Sequence, residues 1–327
     1  MYQDEFSFDA LLEFEMPKNG DEKDPKTLSL QQVERLAFID YRVYYLGDIS
    51  RQDIGDEFKI TDSAASGDLK LYKEFRPDNT FIDGKTKKNS LKLETYKPLI
   101  KIQPSIALDF LVNGFSRSAL IKRKSIVDSD VCYIVHESIN SSFVSFITRA
   151  INNNTGVFIK YFSNNSENHE IRTVYPVAIF DVDESWYFRA LDATSGAESL
   201  SFKSFKFSRL IDASPADDDL IKNFLQDLTF DAEWNTYLPI ELGLHPKLNE
   251  KNKKMLSLEY GIENESLFIQ CRLAFAFYLE KKMKIDTRSI DIIESDPENK
   301  YFNFYMKNVS LVNMIKENAK KMRGPIL

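Results

Sequence analysis

The side chains best suited to chemistry in this chain of 327 residues are basic, and they are clustered. Residues 70–101 contain nine Lys or Arg and four Asp or Glu, which gives the segment a net charge of +5. Three of the lysines, Lys85, Lys87 and Lys88, lie within four consecutive residues. Because lysine needs only charge and reach to bind a phosphate, this density favours contact with a nucleic-acid backbone. Taken alone, a lysine run of this length is more often a solvated loop.

Catalytic and metal-binding patterns are incomplete throughout the sequence. The eleven glycines never form the G-x-G-x-x-G turn that lets a backbone approach a pyrophosphate. Gly84-Lys85-Thr86 resembles the end of a phosphate-binding loop, but the preceding glycines are absent. His136, His169 and His245 are not paired at the i, i+4 spacing that lets two imidazoles share a metal. We therefore expect no enzymatic activity, no cofactor and no metal.

The composition predicts a protein of two or three domains that does not enter a membrane. Hydrophobic residues make up 43% of the chain and its formal net charge is −7, both typical of a soluble globular protein. The longest uninterrupted apolar run, Leu273–Leu279, is far shorter than the roughly 20 residues of a membrane span. The acidic N-terminus also lacks the basic start of a secretory signal, so we expect a cytoplasmic protein. Cys132 and Cys271 are then expected to be core residues rather than a disulfide.

Three helices and a hairpin are predicted around the basic segment. Apolar spacing indicates a helix over Leu30–Leu46 that ends at Gly47. Ser50, with Asp53 three residues later, is expected to cap a short second helix ending near Lys59, and Thr61 a third from Asp62 to Arg76. A hairpin follows, with strands at Thr80–Ile82 and Leu91–Leu93 and the lysine run at its tip. This order is typical of a winged helix-turn-helix over residues 28–98.

The outward face of the third helix is predicted to contact DNA. It carries small polar and basic residues, which can lie close to base edges or phosphates. The predicted contacts with the major groove come from Ser63, Ser66 and Lys70. The predicted phosphate contacts come from Lys73, Lys85, Lys87, Lys88 and Arg51.

A connector over residues 99–149 is predicted to lead into a small β-barrel over residues 150–212. The expected strands are Val157–Phe162, Arg172–Tyr175, Val177–Phe180, Trp186–Leu191 and Phe205–Ile211. Within the connector, helices are expected at Ile106–Phe115 and Ser142–Ile151 and a strand at Val131–Val135. The arginines and tyrosines of the barrel could converge on an anionic ligand, because guanidinium groups suit phosphate. The residues assigned to this ligand site are Tyr161, Ser163, Arg172, Tyr187, Arg189 and Arg209. Surface positions or salt bridges between strands remain open alternatives for the arginines.

The two ends of the chain differ in character. Residues 1–24 carry eight acidic and two basic residues, and this acidic leader (1–27) is expected either to be disordered or to fold against the basic face. After an acidic linker at Asp212–Leu220, residues 220–327 predict an α/β region. Its expected elements are a strand within Trp234–Leu242, helices at Glu250–Tyr260 and Leu267–Met283, a strand at Tyr301–Tyr305 and a last helix to Lys321.

Several motifs, in order along the chain, resemble one known family. Near the N-terminus these are Phe38-Ile39-Asp40-Tyr41-Arg42, Ala65-Ser66 and Asp68-Leu69. In the centre they are Ile159-Lys160-Tyr161, Ser185-Trp186-Tyr187-Phe188-Arg189 and Phe205 to Arg209; towards the C-terminus, Leu242 to Leu248 and Glu259-Tyr260-Gly261. The chain resembles the WYL-domain transcription regulators found with anti-phage systems, the BrxR and CapW group. The resemblance covers most of residues 30–285.

The resemblance implies an α+β multidomain protein with a winged helix-turn-helix, a small Sm-like WYL β-barrel and a C-terminal α/β dimerisation extension. It implies a homodimeric repressor of a phage-defence operon that binds double-stranded DNA at an inverted-repeat operator. It also implies a nucleotide or nucleic-acid effector bound by the barrel. Two positions depart from the family: Gly67 stands where arginine is frequent in the recognition helix, and Val177 where histidine is frequent. A non-specific sensor that binds single strands through the barrel is the alternative function.

Overall fold

The computed structural model describes residues 5–16, 26–121, 127–128, 137–163, 170–195, 200–216, 228–262, 264–296 and 301–321. The chain divides into two compact units. Unit 1 comprises residues 1–194 and 205–219, and unit 2 comprises residues 195–204 and 220–327. The predicted strand at Val131–Val135 and Cys132 lie outside the described residues.

Part of the acidic N-terminal segment packs into unit 1. Helix α1 (Phe8–Leu12) begins at the Ser7 cap and buries Phe8 and Leu11 in the hydrophobic core. The backbone of Phe6 pairs with that of Ile100, through hydrogen bonds from Phe6 N to Leu99 O (2.9 Å) and from Lys101 N to Phe6 O (2.8 Å). Strands β1 (Glu15–Met16) and β2 (Lys26–Thr27) then form a two-stranded sheet. Apolar side chains thus hold this segment despite its surplus of acids.

The three predicted helices are confirmed, with ends fixed by local capping. They are α2 (Leu30–Leu46), α3 (Arg51–Phe58) and α4 (Asp62–Phe75). Ser50 and Asp53 form the predicted capping box of α3, and Thr61 caps α4. Gly47 ends α2 in the left-handed region at φ 93°, a conformation that glycine adopts without strain.

A three-stranded sheet forms the wing. Its strands are β3 (Asp48–Ile49), β4 (Thr80–Ile82) and β5 (Asn89–Leu91), in the order β3-β5-β4. All neighbours are antiparallel, so β4 and β5 form the predicted hairpin and β3 ties it to the end of α2. The second strand, predicted at Leu91–Leu93, lies instead at Asn89–Leu91, because the chain enters a 3-10 helix at Leu93. The wing is therefore fixed to the helices rather than attached only at its base.

Two helices connect the winged helix to a second sheet. Helix α5 (Pro104–Asn113) covers most of the predicted Ile106–Phe115, and α6 (Ser141–Asn153) covers the predicted Ser142–Ile151. Helix α6 contacts both α2 and the second sheet. Buried apolar residues run continuously from the winged helix through α6 into that sheet, so unit 1 has one shared core.

The second sheet has five strands, with β10, β6, β7 and β8 antiparallel to their neighbours in that order, but it is not the closed barrel that the sequence predicts. The strands are β6 (Val157–Tyr161), β7 (Ile171–Val182), β8 (Ser185–Asp192), β9 (Ser201–Lys206) and β10 (Leu210–Pro215). Their order is β10-β6-β7-β8-β9, which leaves β9 and β10 as edges within the described residues. The chain turns between these edges as a 3-10 helix, Phe207–Arg209, so the ladder that would close a barrel is interrupted there.

The strands of this sheet differ from the sequence prediction in three places. The predicted strand Phe205–Ile211 is wrong, because it spans the end of β9, the 3-10 turn and the start of β10. Phe205 and Phe207 are both buried, and this alternation of buried residues is the pattern that a single strand would show. The two strands predicted on either side of Pro176 are one strand, β7, whose register shifts between Pro176 and Ala178. Asp212–Pro215, predicted as linker, belongs to β10.

Unit 2 is a four-stranded mixed sheet flanked by helices. In chain order it contains α7 (Ala232–Asn235), β11 (Tyr237–Leu244), α8 (Glu250–Tyr260), β12 (Leu267–Arg272), α9 (Ala276–Met283), β13 (Ile285–Asp286), α10 (Ile290–Ser295), β14 (Phe304–Met306) and α11 (Val309–Lys321). The strand order is β12-β11-β14-β13, with β13 and β14 parallel. The predicted helix Leu267–Met283 is wrong in its first half, because Leu267–Arg272 pairs along β11 and the helix begins only at Ala276.

Candidate nucleic-acid interface and ligand site

Helix α4 presents the side chains that the sequence assigns to the DNA groove. Ser63, Ser66 and Lys70 are exposed, and Lys73 is half-buried in the last turn. The Ser66 hydroxyl donates to the carbonyl of Asp62 at 2.7 Å and keeps its lone pairs available. The opposite face buries Ala65, Tyr72 and Phe75. The helix is therefore amphipathic in the way a recognition helix requires, with an apolar side in the core and a small polar side in solvent.

Ion pairs from α2 hold the other two helices of the motif in place. Arg35 donates to Asp68 on α4 through Nε at 2.6 Å and Nη2 at 3.1 Å, a bidentate pair with Asp68 buried. Arg42 pairs with Asp53 on α3 at 3.0 Å. Because two parallel bonds fix direction as well as distance, the Arg35–Asp68 pair sets the orientation of the recognition helix.

A buried carboxylate, Asp40, joins α2 to α4 and to the chain that follows the wing. It accepts hydrogen bonds from the hydroxyls of Tyr72 (2.7 Å) and Tyr96 (3.1 Å) and from the backbone N–H of Leu99 (2.9 Å) and Ile100 (3.1 Å). Burial outweighs these donors and raises the pKa of Asp40 to about 6. One side chain thus anchors α2, α4 and the chain after the wing beneath the surface that is predicted to contact DNA.

The wing tip is built on Asp83 and leaves two lysines in solvent. The Asp83 carboxylate accepts from the backbone N–H of Lys85 at 2.7 Å and of Thr86 at 2.8 Å, and these bonds lower its pKa. The tip is completed by Lys87 in the left-handed region at φ 60°. Lys85 and Lys87 are exposed, and in the part of the chain that the structure describes they have no ion pair. They are free to contact phosphates.

Two of the predicted phosphate contacts are already engaged by acids. Lys88 Nζ lies 3.0 Å from Asp48 on the adjacent strand, and Arg51 Nε lies 3.4 Å from the Asp62 carboxylate at the start of α4. Lys59, which the sequence analysis did not select, is exposed in the turn between α3 and α4. The sequence signal that could have identified Lys59 is its position in the turn between the two helices of the helix-turn-helix. The structure therefore distinguishes free lysines from partly neutralised ones within the same basic face.

The residues assigned to a ligand on the second sheet do not form one set. Tyr161 and Arg189 are buried, with 8% and 3% of their surface exposed, and the Tyr161 hydroxyl accepts from Lys206 N at 3.0 Å. Arg172 lies 3.5 Å from Asp192, which is the salt bridge between strands left open as an alternative. Ser163 is half-buried at the end of β6. These four residues lie mostly in or along the sheet rather than in an open pocket.

Tyr187 and Arg209 instead belong to a second group, which includes residues the sequence analysis missed. The Lys206 ammonium lies 5.6 Å from the centre of the Tyr187 ring and pairs with the carboxylate of Glu137. Burial raises the pKa of Tyr187, although the positive charges of Lys206 and Arg209 act to lower it. The Glu137 carboxylate also accepts hydrogen bonds from the hydroxyls of Ser185 (3.2 Å) and Ser208 (3.1 Å). We call Ser185, Lys206, Ser208 and Glu137 the Glu137 cluster; no local pattern in the sequence marks it.

Helix α6, which begins four residues after Glu137, is bonded to the C-terminal end of α2. Thr148 donates to the carbonyl of Tyr45 at 2.6 Å, Arg149 to that of Tyr44 at 2.9 Å and Asn152 to that of Leu46 at 3.0 Å. The hydroxyls of Tyr45 and Ser141 are 2.8 Å apart. These bonds satisfy carbonyls that the end of a helix leaves without partners. The five-stranded sheet and the winged helix are therefore connected through α6.

The described residues show neither a membrane span nor a cluster of metal ligands. None of the helices described is both long and apolar enough to cross a membrane. Within the same residues, no three or more His, Cys, Asp or Glu side chains are grouped as metal ligands.

The fold and its surface define a winged-helix DNA-binding protein that also carries a five-stranded sheet and a C-terminal α/β unit. Three family models match in this order: the BrxR transcriptional regulator winged helix-turn-helix domain at residues 31–106, the WYL domain at 143–215 and the BrxR transcriptional regulator C-terminal dimerization domain at 237–310. The chain belongs to the BrxR and CapW group of WYL-domain transcription regulators, as the sequence motifs indicated.

Three curated relatives align with this chain over most of their length. The DNA-binding transcriptional repressor CapW of Escherichia coli (strain KTE188) is 27% identical over 264 residues, covering 76% of this chain and 81% of CapW. CapW of Stenotrophomonas maltophilia is 26% identical over 274 residues (79% and 85%), and CapW of Pseudomonas aeruginosa 25% over 274 residues (80% and 85%). Their names describe regulators rather than enzymes, in agreement with the sequence-based expectation.

Proposed function

We propose that this chain is a homodimeric, sequence-specific transcriptional repressor of a phage-defence operon, regulated by a nucleotide or nucleic-acid ligand that binds its WYL sheet. The observation that carries the DNA-binding part is the exposed Ser63, Ser66 and Lys70 face of α4, flanked by the free wing lysines Lys85 and Lys87. Small polar groups on the helix suit base edges, and the lysines suit phosphates on either side.

Two copies of this motif predict the form of the operator. In a symmetric dimer, recognition helices enter successive major grooves about 34 Å apart, so the operator is expected to be an inverted repeat. Lys70 and Ser66 would then contact base edges, while Lys73, Lys85 and Lys87 contact phosphates; Lys88 and Arg51 contribute less because each already faces an acid.

Unit 2 supports the homodimer part of the proposal. Several of its large apolar side chains are exposed, among them Leu258 on α8 (77%), Phe268 on β12 (74%) and Phe277 on α9 (63%). Strand β12 is also an edge of its sheet, where unpaired backbone groups favour association. A Phe268→Glu variant is expected to lower the dimer fraction in sedimentation analysis and to weaken operator binding. An unchanged dimer would place the interface elsewhere on the chain.

The decisive experiment is a gel-shift titration at near-physiological salt. DNA from upstream of the chain's own operon is compared with a scrambled duplex of equal length. We expect a preference of a hundredfold or more, about 2.7 kcal/mol, for the upstream DNA. Lys70→Gln should reduce it, and Lys160→Gln, an exposed lysine on β6, is the matched control that should not.

Other outcomes of the same titration separate the alternatives. Equal, salt-sensitive binding to both duplexes would favour the non-specific sensor that holds single strands on the sheet. Absence of binding to either duplex would overturn the assignment of α4 as a recognition helix.

The ligand part of the proposal keeps the predicted set of Tyr161, Ser163, Arg172, Tyr187, Arg189 and Arg209, with unequal roles. Arg209 is exposed, Tyr187 is half-buried, and the charge of Arg209 is close enough to lower the pKa of Tyr187. These two residues would therefore contact a ligand directly. Tyr161 and Arg189 are buried and would act by supporting the sheet. An Arg209→Gln variant should repress normally but respond less to the effector, measured with a reporter under the operator. A normal response would remove Arg209 from the site.

A further inference from the structure

The Glu137 cluster is built like an oxyanion site that is already filled. Its donors come from three places: Ser185 begins β8, Lys206 ends β9 and Ser208 lies in the 3-10 turn. They converge on one carboxylate, with Ser185 on Oε1 and Ser208 on Oε2. An ammonium and two hydroxyls directed at two oxygens of one anion are also the donors that a phosphate group requires.

The carboxylate in this cluster does not belong to the sheet. Glu137 lies in the connector, just before α6, whereas its donors are all on the sheet or its turn. Asp192 gives the contrasting case, because it lies on β8 itself, is 5% exposed and is held by Thr194 through N (3.0 Å) and Oγ1 (2.5 Å) as well as by Arg172. Asp192 is integral to the sheet, while Glu137 reaches into it from outside.

The cluster lies where a ligand could reach it. The side chains of Lys206 and Glu137 are 17% and 28% exposed, so the pair is at the solvent boundary rather than in the core. Arg209, also exposed, acts on Tyr187 together with Lys206. Without Glu137, the Lys206 ammonium and the hydroxyls of Ser185 and Ser208 would lack the anion that they now contact, and the nearby charge of Arg209 adds to an arrangement that favours an anion.

We propose that Glu137 is an internal competitor that occupies a phosphate-binding site formed by Ser185, Lys206 and Ser208, and that the effector acts by displacing it. This deepens the proposed function by naming the ligand chemistry and the group it replaces. Displacement frees residues 137–140, which directly precede α6. Because Ser141 of α6 bonds Tyr45 and three further side chains of α6 bond the end of α2, that movement is transmitted to the DNA-binding helices.

The proposal is tested by calorimetric titration of the full chain at low ionic strength with three probes. The probes are inorganic phosphate, a 5′-phosphorylated trinucleotide and the same trinucleotide with a 5′-hydroxyl. The variant Glu137→Gln keeps the shape of the side chain and removes its charge, so it should bind a phosphate-bearing probe at least tenfold more tightly than the wild type. Lys206→Gln should weaken binding at least tenfold, alone and combined with Glu137→Gln.

Matched controls use exposed residues of the same sheet. Glu184→Gln, in the turn between β7 and β8, and Lys160→Gln, on β6, should leave probe affinity unchanged. A thermal melt of each variant separates loss of binding from loss of fold. A gain seen only with the 5′-phosphate identifies a terminal phosphate as the ligand group, and an equal gain with both trinucleotides identifies the internal phosphodiester.

Two results would overturn the proposal. If Glu137→Gln leaves every affinity unchanged while Lys206→Gln lowers them, the site exists but Glu137 does not compete for it. If no probe binds to the wild type or to Glu137→Gln, the cluster is a structural ion pair. Operator binding is measured separately: Glu137→Gln without probe should change operator affinity in the same direction as the probe changes the wild type. Failure of the proposed function would instead appear as no operator preference in any variant.

Discussion

The winged helix and the five-stranded sheet both carry cations, but their carboxylates lie in different places. In the winged helix, the acids Asp40 and Asp68 are buried, where they hold helices together. Asp48 and Asp62 offset Lys88 and Arg51, but Lys85 and Lys87 at the wing tip are left exposed and without an ion pair among the described residues. Such a surface attracts any polyanion, with an affinity that falls as salt concentration rises.

In the sheet, acids lie beside the cations and neutralise them. Arg172 forms an ion pair with Asp192, and Lys206 forms one with Glu137 within the Glu137 cluster. A ligand therefore gains only the difference between its own contacts and those it displaces. The comparison teaches that one region of the chain is suited to a long, highly charged duplex and the other to a single anion with defined geometry.

The largest predicted effect is on the buried acids of the winged helix. Asp40→Ala leaves four buried donors without an acceptor, so we expect a loss of about 4 kcal/mol in the free energy of unfolding of unit 1. Guanidinium unfolding measures this loss. Asp56→Ala, an exposed acid on α3, is the control and should change stability by less than about 0.5 kcal/mol. An equally small effect of Asp40→Ala would mean that the helices are held by packing alone.

The same group predicts a pH dependence of stability. The pKa of Asp40 is raised to about 6 in the folded chain, mainly by burial, from 3.8. Between these values the folded state binds more protons than the unfolded state, so this group makes stability fall as pH rises from about 4 to 6, by roughly 3 kcal/mol. Comparing wild type with Asp40→Asn across this range isolates the contribution. Parallel stability curves for the two proteins would show that Asp40 has an ordinary pKa.

Local sequence patterns predicted most of unit 1 because its helices are ended by residues that act within one turn. Ser50 with Asp53, Thr61 and Gly47 each determine a helix end through a neighbour a few residues away. The exposed face of α4 followed from the same periodicity. The 3-10 turn at Phe207–Arg209 was missed because buried Phe205 and Phe207 keep the alternation of a strand through it.

The parts that could not be predicted depend on residues far apart in the sequence. Strand β12 carries apolar residues on both faces, since Leu267 and Ile269 pack in the core while Phe268 is exposed, and this pattern does not distinguish a strand from an apolar helix. Neither the neutralisation of Lys88 by Asp48 nor the approach of Glu137 to Lys206 has a local signal. Local patterns therefore indicate candidate residues, but they do not indicate which distant side chains those residues contact.

The wing allows the contribution of a lysine without an ion pair to DNA binding to be compared with that of a lysine paired to an acid. Lys87→Gln is expected to weaken binding to specific and scrambled DNA alike and to flatten the dependence of log K on log salt by about one unit. Lys88→Gln, one residue away, should change this slope by clearly less than Lys87→Gln, because Asp48 already offsets its charge. Gel-shift titrations at four or more salt concentrations give both slopes. Equal slopes for the two variants would show that the Lys88–Asp48 pair opens on DNA.

The smallest predicted effect concerns Gly67, on the exposed face of the recognition helix. A Cβ at this position would meet no atom within 4 Å, so nothing in the free protein requires glycine there. Gly67→Ala should therefore raise the free energy of unfolding by about 0.5–1 kcal/mol through helix propensity alone. Operator affinity measured on the same variant then decides why glycine is present. If stability rises while affinity for the operator falls, the backbone of α4 approaches the DNA closely enough that a methyl group obstructs it. If both are unchanged or improved, Gly67 only removes a side-chain contact, and Gly67→Arg should add one phosphate contact with a steeper salt slope.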